Sequence, residues 1–520
     1  YKVTIKLMEP TLYRSSYNVS RVYYRGAGTT INQYDYLGRS VQVSFYKPIN
    51  NLTDWKAIGE DLAGNYRLES DIDFSKAYSQ DVHIKGTFTG ILDGKDPDNN
   101  VHTLKNMQEI NYGNVFEIVK GGTIRNLTVA GLKLSATSKS AYTGFVGRLN
   151  GSAVLDHVFI TGSGDRKEVT AYSYSGALTG EVNNATVTNC GVQGMKITSA
   201  ESGKNTLYVG GLVGSLTAAQ LNNCYAQDVT VAAEEGYTAA GIGGLVGVQG
   251  SGSVMSSLYA QGNIKTSFQN AGGITGSAGS SISKAWSWVD ISSIADNLGG
   301  IAGKMTASLS VENAVEMGNI YTTSSNTGES GTVRRIVGSV GTNAYKARNT
   351  VAYSGQLLGK EAAADQQMDS NRLVSLPELW TKAPYRDYAV LGASFDINGT
   401  KSDGSYTAEN GILPMLLDTD GELLPNQQPV SLPDPSLKLT AEGIYYADTT
   451  GKYGVTLKVE GMYDIDQKQY LYEPVKVEIP GMVLSDISDG INSGIVERIV
   501  NQNGTVSYTW SQVEVQSYLD

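Results

Sequence analysis

A glycine-bracketed apolar pentad recurs through the middle of this chain, at Thr143–Gly147, Gly176–Gly180, Gly210–Gly214, Gly243–Gly247, Gly272–Gly276 and Gly299–Gly303. The closing glycines are separated by 33, 34, 33, 29 and 27 residues, a period that marks solenoids and repeat arrays. Most pentads are followed by a polar turn, a second apolar segment such as Gln220–Tyr225 or Val254–Tyr259, and often a third such as Val229–Val231. These pieces are too short for ordinary helices and rich in Val, Ile, Leu and aromatic residues between Gly, Asn and Ser. A single turn of this kind cannot cover its own apolar side, so turns must stack, each strand pairing with its equivalent one repeat on. The fold class this predicts is all-β, a right-handed parallel β-helix.

Two further patterns agree. Proline cannot donate to a β-ladder, and none occurs between Pro97 and Pro377 although the chain has 12. Leu127, Cys190, Cys224, Leu258, Ala285 and Ala314 fall on one register, all apolar or small, as an inward stack requires. One step earlier stand Asn126, Asn189, Asn223 and Asn313, which read as a ladder of bends whose side chains satisfy backbone groups from turn to turn. The pentad glycines read as sites of close packing and of left-handed bends.

The ends differ from the middle. Tyr1–Leu7 and Val41–Phe45 alternate cleanly, so 1–50 reads as a small N-terminal β module. Residues 51–416 form the capped solenoid: Thr53 or Asp54 caps a short helix carrying Trp55, Ile58 and Leu62 on one face and stopping at Gly64, a lid for the exposed end of the coil. A short helix is expected near Gly359–Met368, and strand character returns over Leu391–Leu416. Pro425, Pro429, Pro433 and Pro435 mark 417–436 as a linker, and the alternation at Val455/Leu457/Val459 and Val475/Val477/Ile479 makes 437–520 a β-sandwich-like domain.

The net charge of −11 argues against nucleic acid and against adhesion to anionic membrane by charge. No apolar run approaches the length of a membrane span, and the start at Tyr1 reads as a mature protein or an excised fragment. Cys190 and Cys224, the only cysteines, are expected to stack one turn apart as reduced, buried thiols, because parallel side chains are poorly oriented for a disulfide.

The run Trp55, Ile58 and Leu62–Phe74, the step Phe88–Gly94 with His102–Asn106, and the Gly-Gly-Leu-Val-Gly repeats followed by Asn-Cys-Tyr-Ala together resemble GLUG-repeat β-helices of bacterial surface proteins. In particular they are similar to the N-terminal region of IgA-specific zinc metallopeptidases of Gram-positive bacteria, over about residues 50–416. The resemblance implies an extracellular, cell-surface accessory region whose peptidase domain and wall attachment lie outside this chain, with a host protein such as immunoglobulin A as partner. It carries over no catalytic residue. The family's zinc motif is His-Glu-x-x-His, and His83, His102 and His157 are followed by Ile84, Thr103 and Val158.

Four kinds of place could carry chemistry of the chain's own. An enzymatic β-helix would show acids on a shared register, yet Asp228, Glu234, Glu235, Asp290 and Asp296 share none. Asp93, Asp96 and Asp98 form a candidate Ca2+ loop, with Asp418 and Asp420 a weaker one; solvated turns are the competing reading. His157, placed on the register of Cys190, reads as structural. Gly250–Ser253 is a turn rather than a nucleophile elbow, and Gly241–Gly247 lacks the helix that a dinucleotide phosphate needs. Tyr225, Tyr259 and Trp286 follow one another in register with Trp288 nearby. Facing outward they would suit a glycan or protein ligand; facing inward they are core, the reading preferred. The leading expectation is a non-catalytic interaction and spacer region, with a carbohydrate-binding or carbohydrate-active β-helix and a structural stalk as alternatives.

Overall fold

The computed structural model describes residues 46–432, apart from 136–141, 200–205, 234–237, 307–308, 323–332, 341–345, 355, 357–371 and 398–410. Outside that span it describes the strands between 17 and 43 and between 441 and 510. The central part is a parallel β-solenoid of about eight turns, whose described strands form two long sheets of 18 and 15 strands. One turn shows the plan. Thr206–Gly210 leads through a corner into Val213–Thr217, and the chain then runs along Gln220–Ala233 before the next turn opens at Thr238–Gly243. Each strand pairs in parallel with its equivalent one repeat later, as in Cys224 with Leu258 and Leu258 with Ala285.

The pentads are the corners. A Cβ on Gly247 would stand 2.5 Å from the Gly214 carbonyl oxygen, and one on Gly214 would stand 2.5 Å from that of Gly180. Only a residue without a side chain lets neighbouring turns approach this closely. The expectation of left-handed bends at these glycines does not hold, because none of them has positive φ. That conformation belongs to the register of Asn126, His157, Asn189, Asn223, Ser257, Lys284, Asn313 and Asn349, with φ between 51° and 58°. Asparagine tolerates the left-handed region best among residues with a Cβ. The ladder it forms runs mostly from side chain to side chain: Asn223 Nδ2 donates to Asn189 Oδ1 (2.7 Å), Asn189 Nδ2 to Asp156 Oδ1 (2.9 Å), and Asn349 Nδ2 to Asn313 Oδ1 (2.9 Å). His157 therefore sits on the asparagine register and not on that of Cys190, whose equivalent is Val158; its Nδ1 lies 2.8 Å from Asp156 Oδ1.

The next register points inward. Leu127, Val158, Cys190, Cys224, Leu258, Ala285 and Ala314 are all fully buried, and the two cysteines are free thiols one turn apart. At the N-terminal end the helix Leu52–Lys56 lies over the core, with Asn51 as its cap in place of the expected Thr53 or Asp54: the Asn51 side chain accepts from the Thr53 and Asp54 amides. Trp55 fills the end of the coil, its Nε1 donating to the Val82 carbonyl (3.0 Å) and its ring meeting Phe74 and Phe116 edge-on. The first strand of the long sheet is Lys47–Ile49, paired with Asn65–Leu68, so the solenoid begins inside the segment assigned to the N-terminal module.

Before it, Tyr17–Val19 pairs with Val41–Val43 and Val22–Arg25 with Ile31–Tyr34, both antiparallel; Tyr1–Leu7 lies outside the described residues, as does Gly359–Met368. The C-terminal region holds a five-stranded antiparallel sheet in the order Val475–Met482, Tyr453–Val459, Ala441–Ala447, Val506–Trp510, Val496–Val500.

Candidate functional site

Side chains alternate across a strand, so inward Cys224 makes Tyr225 an outward residue. On that outward register Phe159, Tyr225, Tyr259 and Trp286 form a stack along the coil. Tyr225 and Tyr259 lie 5.2 Å apart, Tyr259 and Trp286 4.3 Å apart, and their planes are within 11° of parallel. Gly191 leaves the space into which the Tyr225 ring leans, reaching Phe159 at 6.4 Å.

The stack is nonetheless buried, so Tyr225, Tyr259 and Trp286 are core, the preferred reading, and not an open ligand site, although they face out of the coil rather than into it. Tyr225, Tyr259 and Trp286 are at most 1% exposed because the chain returns after the last turn and lies across them. Residues 372–397 and 411–432 form this strap, contributing Val374, Leu376, Leu379, Tyr385, Leu413, Leu416 and Leu424 to a second apolar core outside the coil. The polar edges of the stack are matched to the strap's backbone. Tyr225 Oη donates to the Pro425 carbonyl (2.6 Å), Trp286 Nε1 to that of Pro414 (2.8 Å) and Asn223 Nδ2 to that of Leu417 (2.7 Å). Gln227 exchanges two bonds with the backbone of Gln428. The stretch 417–432, read as a linker, is thus docked on the coil. Trp288 packs at the margin of this core, partly buried.

The acidic candidates do not converge. Asp93 is committed to Arg125 Nε (2.8 Å) and Asn126 Nδ2 (2.9 Å). Asp96 organises its own loop, accepting from Asn100 Nδ2, the amides of Asn100 and Asp98, and His102; the Asn100 bonds lead in pulling its carboxyl down to about 2. Asp98 contributes its backbone amide to that turn. Asp418 likewise accepts from the amides of Asp420 and Glu422. Among the described residues no three His, Cys, Asp or Glu side chains gather as metal ligands.

One buried acid escaped the sequence reading. Glu316 occupies the inward position equivalent to Ser287 and is fully buried; its Oε1 accepts from the Gly318 amide (2.8 Å) and Gln356 Nε2 (3.2 Å). Burial pushes its carboxyl well above the usual range, and the charge of Asp290 adds to the shift. A second row of rings, at Tyr142, Tyr174 and Tyr208, stands on the opposite sheet and is partly exposed. Its signal was present as a tyrosine one or two residues before each of three successive pentads.

Fold and site together define a parallel β-solenoid scaffold whose outer aromatic stack is clasped by its own chain. Comparison with known proteins gives the class a relation. Residues 14–162 match the M26 IgA1-specific metallo-endopeptidase N-terminal region. An immunoglobulin A1 protease of Streptococcus sanguinis is 26% identical over 244 residues, which are 46% of this chain and 12% of that protein. A crystal structure from Bacteroides ovatus, provisionally described as an immunoglobulin A1 protease, aligns with 57% of this chain and 84% of its own at 16% identity and a TM-score of 0.34. A likeness that slight bears no weight in assigning a function. The similarity to the N-terminal region of the IgA-specific metallopeptidases, expected from Trp55–Phe74 and the following step, is borne out by the family and the relative.

Proposed function

We propose that this chain is a non-catalytic region of a larger, surface-exposed bacterial peptidase, a stiff coil that holds a host protein, immunoglobulin A, for a catalytic domain located elsewhere in that protein. The observation that carries the reading is the match of residues 14–162 to the N-terminal region of the IgA1-specific metallo-endopeptidases, a part distinct from the one that bears a zinc motif. The physical character of the coil supports it. Stacked turns joined by continuous parallel ladders make an extended body with a large lateral surface, and no His-Glu-x-x-His occurs in the sequence. A carbohydrate-binding role has lost its first support, since Tyr225, Tyr259 and Trp286 lie under the strap.

The test is binding of immunoglobulin A to the immobilised full chain, with immunoglobulin G as comparator and cleavage followed on gels. Selective retention without cleavage is expected. Equal retention of both immunoglobulins, or of neither, would overturn the partner assignment, and cleavage by the chain alone would overturn the non-catalytic one.

A further inference from the structure

One inward register of the coil changes character in its last turns. It passes through Ala226 and Ala260, continues as Ser287 and Glu316, and returns to alanine at Ala352. The three alanines belong to the apolar core of the coil, and Ser287 and Glu316 are as completely buried as they are. Opposite this register stand the second glycines of the pentads. A Cβ on Gly244 would meet the Ala260 methyl group, one on Gly273 would collide with Ser287 Oγ, and one on Gly300 with the Glu316 carboxyl. The last two of these atoms would also strike carbonyl oxygens of the following turn, those of Gly300 and Arg335. Side-chain and carbonyl oxygens therefore crowd together around Gly300.

These polar groups do not satisfy one another. Glu316 Oε1 receives the Gly318 amide (2.8 Å) and Gln356 Nε2 (3.2 Å), but Glu316 Oε2, Ser287 Oγ and Gln356 Oε1 are buried without a hydrogen-bond partner. Ser287 Oγ stands beside the carboxyl, close enough to favour its charged form yet outside hydrogen-bond geometry. Asp290 adds negative charge, Arg335 turns its carbonyl to the cluster, and among the described residues no side-chain cation forms an ion pair with Glu316. A proton on Oε2 would serve one of the lone pairs and leave Gln356 Oε1 without a donor. A hard cation would serve them all, since oxygens held about 2.3 to 2.6 Å from Ca2+ lie within about 5 Å of one another.

We propose that Glu316, Ser287 and Gln356, with the carbonyl oxygens of Gly300 and Arg335, form a Ca2+ site sealed inside the last turns of the coil. Carboxylate, hydroxyl, amide and carbonyl oxygens without nitrogen or sulfur suit Ca2+, whose flexible coordination tolerates such a set better than the strict octahedron of Mg2+ does. The bound ion would hold Glu316 in its charged form and tie together the turn of Ser287, the turn of Glu316 and the chain at Gln356. One carboxylate in contact and a second nearby place the affinity at the weak end of Ca2+ sites, about 0.1 to 1 mM. The inference rests on the geometry of this chain and not on immunoglobulin A being the partner, and either can fail alone.

The probe is Ca2+ alone, added to the full chain after removal of metal with EDTA and dialysis, at pH 7.5 and constant ionic strength. Calorimetry should show saturable binding, and the melting temperature should rise with Ca2+ over the same range. Glu316→Gln should abolish both effects. Without metal that variant should melt no lower than the parent, because it removes a buried carboxyl that nothing compensates, so a lost signal is not a lost fold. Ser287→Ala should weaken binding by at least about threefold with an unchanged melting temperature in EDTA, since alanine fills this register on neighbouring turns. Asp96→Asn, in the exposed loop, should alter neither effect. Absence of saturable binding would overturn the proposal and leave a proton or a water molecule to bridge these oxygens. Full retention of the Ca2+ response by Glu316→Gln, or its loss in Asp96→Asn, would overturn it as well.

Discussion

The left-handed bend on each turn is where single residues matter most. Asn223 combines φ of 56° with bonds to Asn189 and to the strap at Leu417. Asn223→Ala should cost about 2 kcal/mol, from the penalty of the left-handed region and the loss of both bonds; Asn223→Gly should cost less, since glycine accepts the backbone. Lys284 holds the same conformation without asparagine's tolerance, and Lys284→Asn should raise stability by about 0.5 to 1 kcal/mol. Urea unfolding of the three variants checks the order. Glu316 adds a pH term. A carboxyl whose folded value is raised binds its proton more tightly folded than unfolded, so stability is fullest below the ordinary value of 4.5 and declines as pH rises from there towards the raised value. Glu316→Gln should flatten that decline and melt higher than the parent at neutral pH, as measured by thermal unfolding from pH 4 to 8.

At the scale of elements, the strap decides how the outer stack behaves. Trp286→Phe keeps an aromatic ring in the stack but makes it smaller and removes the donor to Pro414, leaving a buried carbonyl without its partner, and should cost about 1 to 3 kcal/mol. A chain lacking residues 411–432 should bind a hydrophobic dye, which the intact chain should not; equal dye binding would mean the stack is not covered in solution. The solenoid itself was legible from the spacing of the pentads, the proline gap and the inward register of Cys190 and Cys224, because each repeat restates the same local packing problem. The inside and outside of the stripe were legible in part, since alternation places Tyr225 opposite Cys224. Core was the preferred reading, but what buries the rings was not legible. The groups that cover Tyr225 come from Pro425 and its neighbours, about 200 residues later in the chain, and no local pattern announces a partner at that distance. The pentad glycines misled in a related way: glycine signals both close approach and positive φ, and only the neighbouring turn shows which one applies.

For the whole molecule, stacked turns contact only their neighbours, so the coil should open from its ends. Trp55 closes one of them, and Trp55→Ala should cost about 3 to 5 kcal/mol and loosen the first turns before the last, visible as hydrogen exchange that rises first over residues 65–120. The thiols report the opposite extreme. Cys190 and Cys224 are fully buried in the middle of the coil, and burial, with the neighbouring thiol, pushes the Cys190 thiol up; a thiol reagent should therefore label the native chain only as fast as it unfolds. Between these limits stands the strap, whose attachments reach from the turn of Asn223 to the turn of Trp286. Under tension on the C-terminal side, the final coils are braced against those beneath them, so peeling them singly first requires tearing this cross-tie free. Force should then register one abrupt release where an unbraced spring would pay out rung by rung.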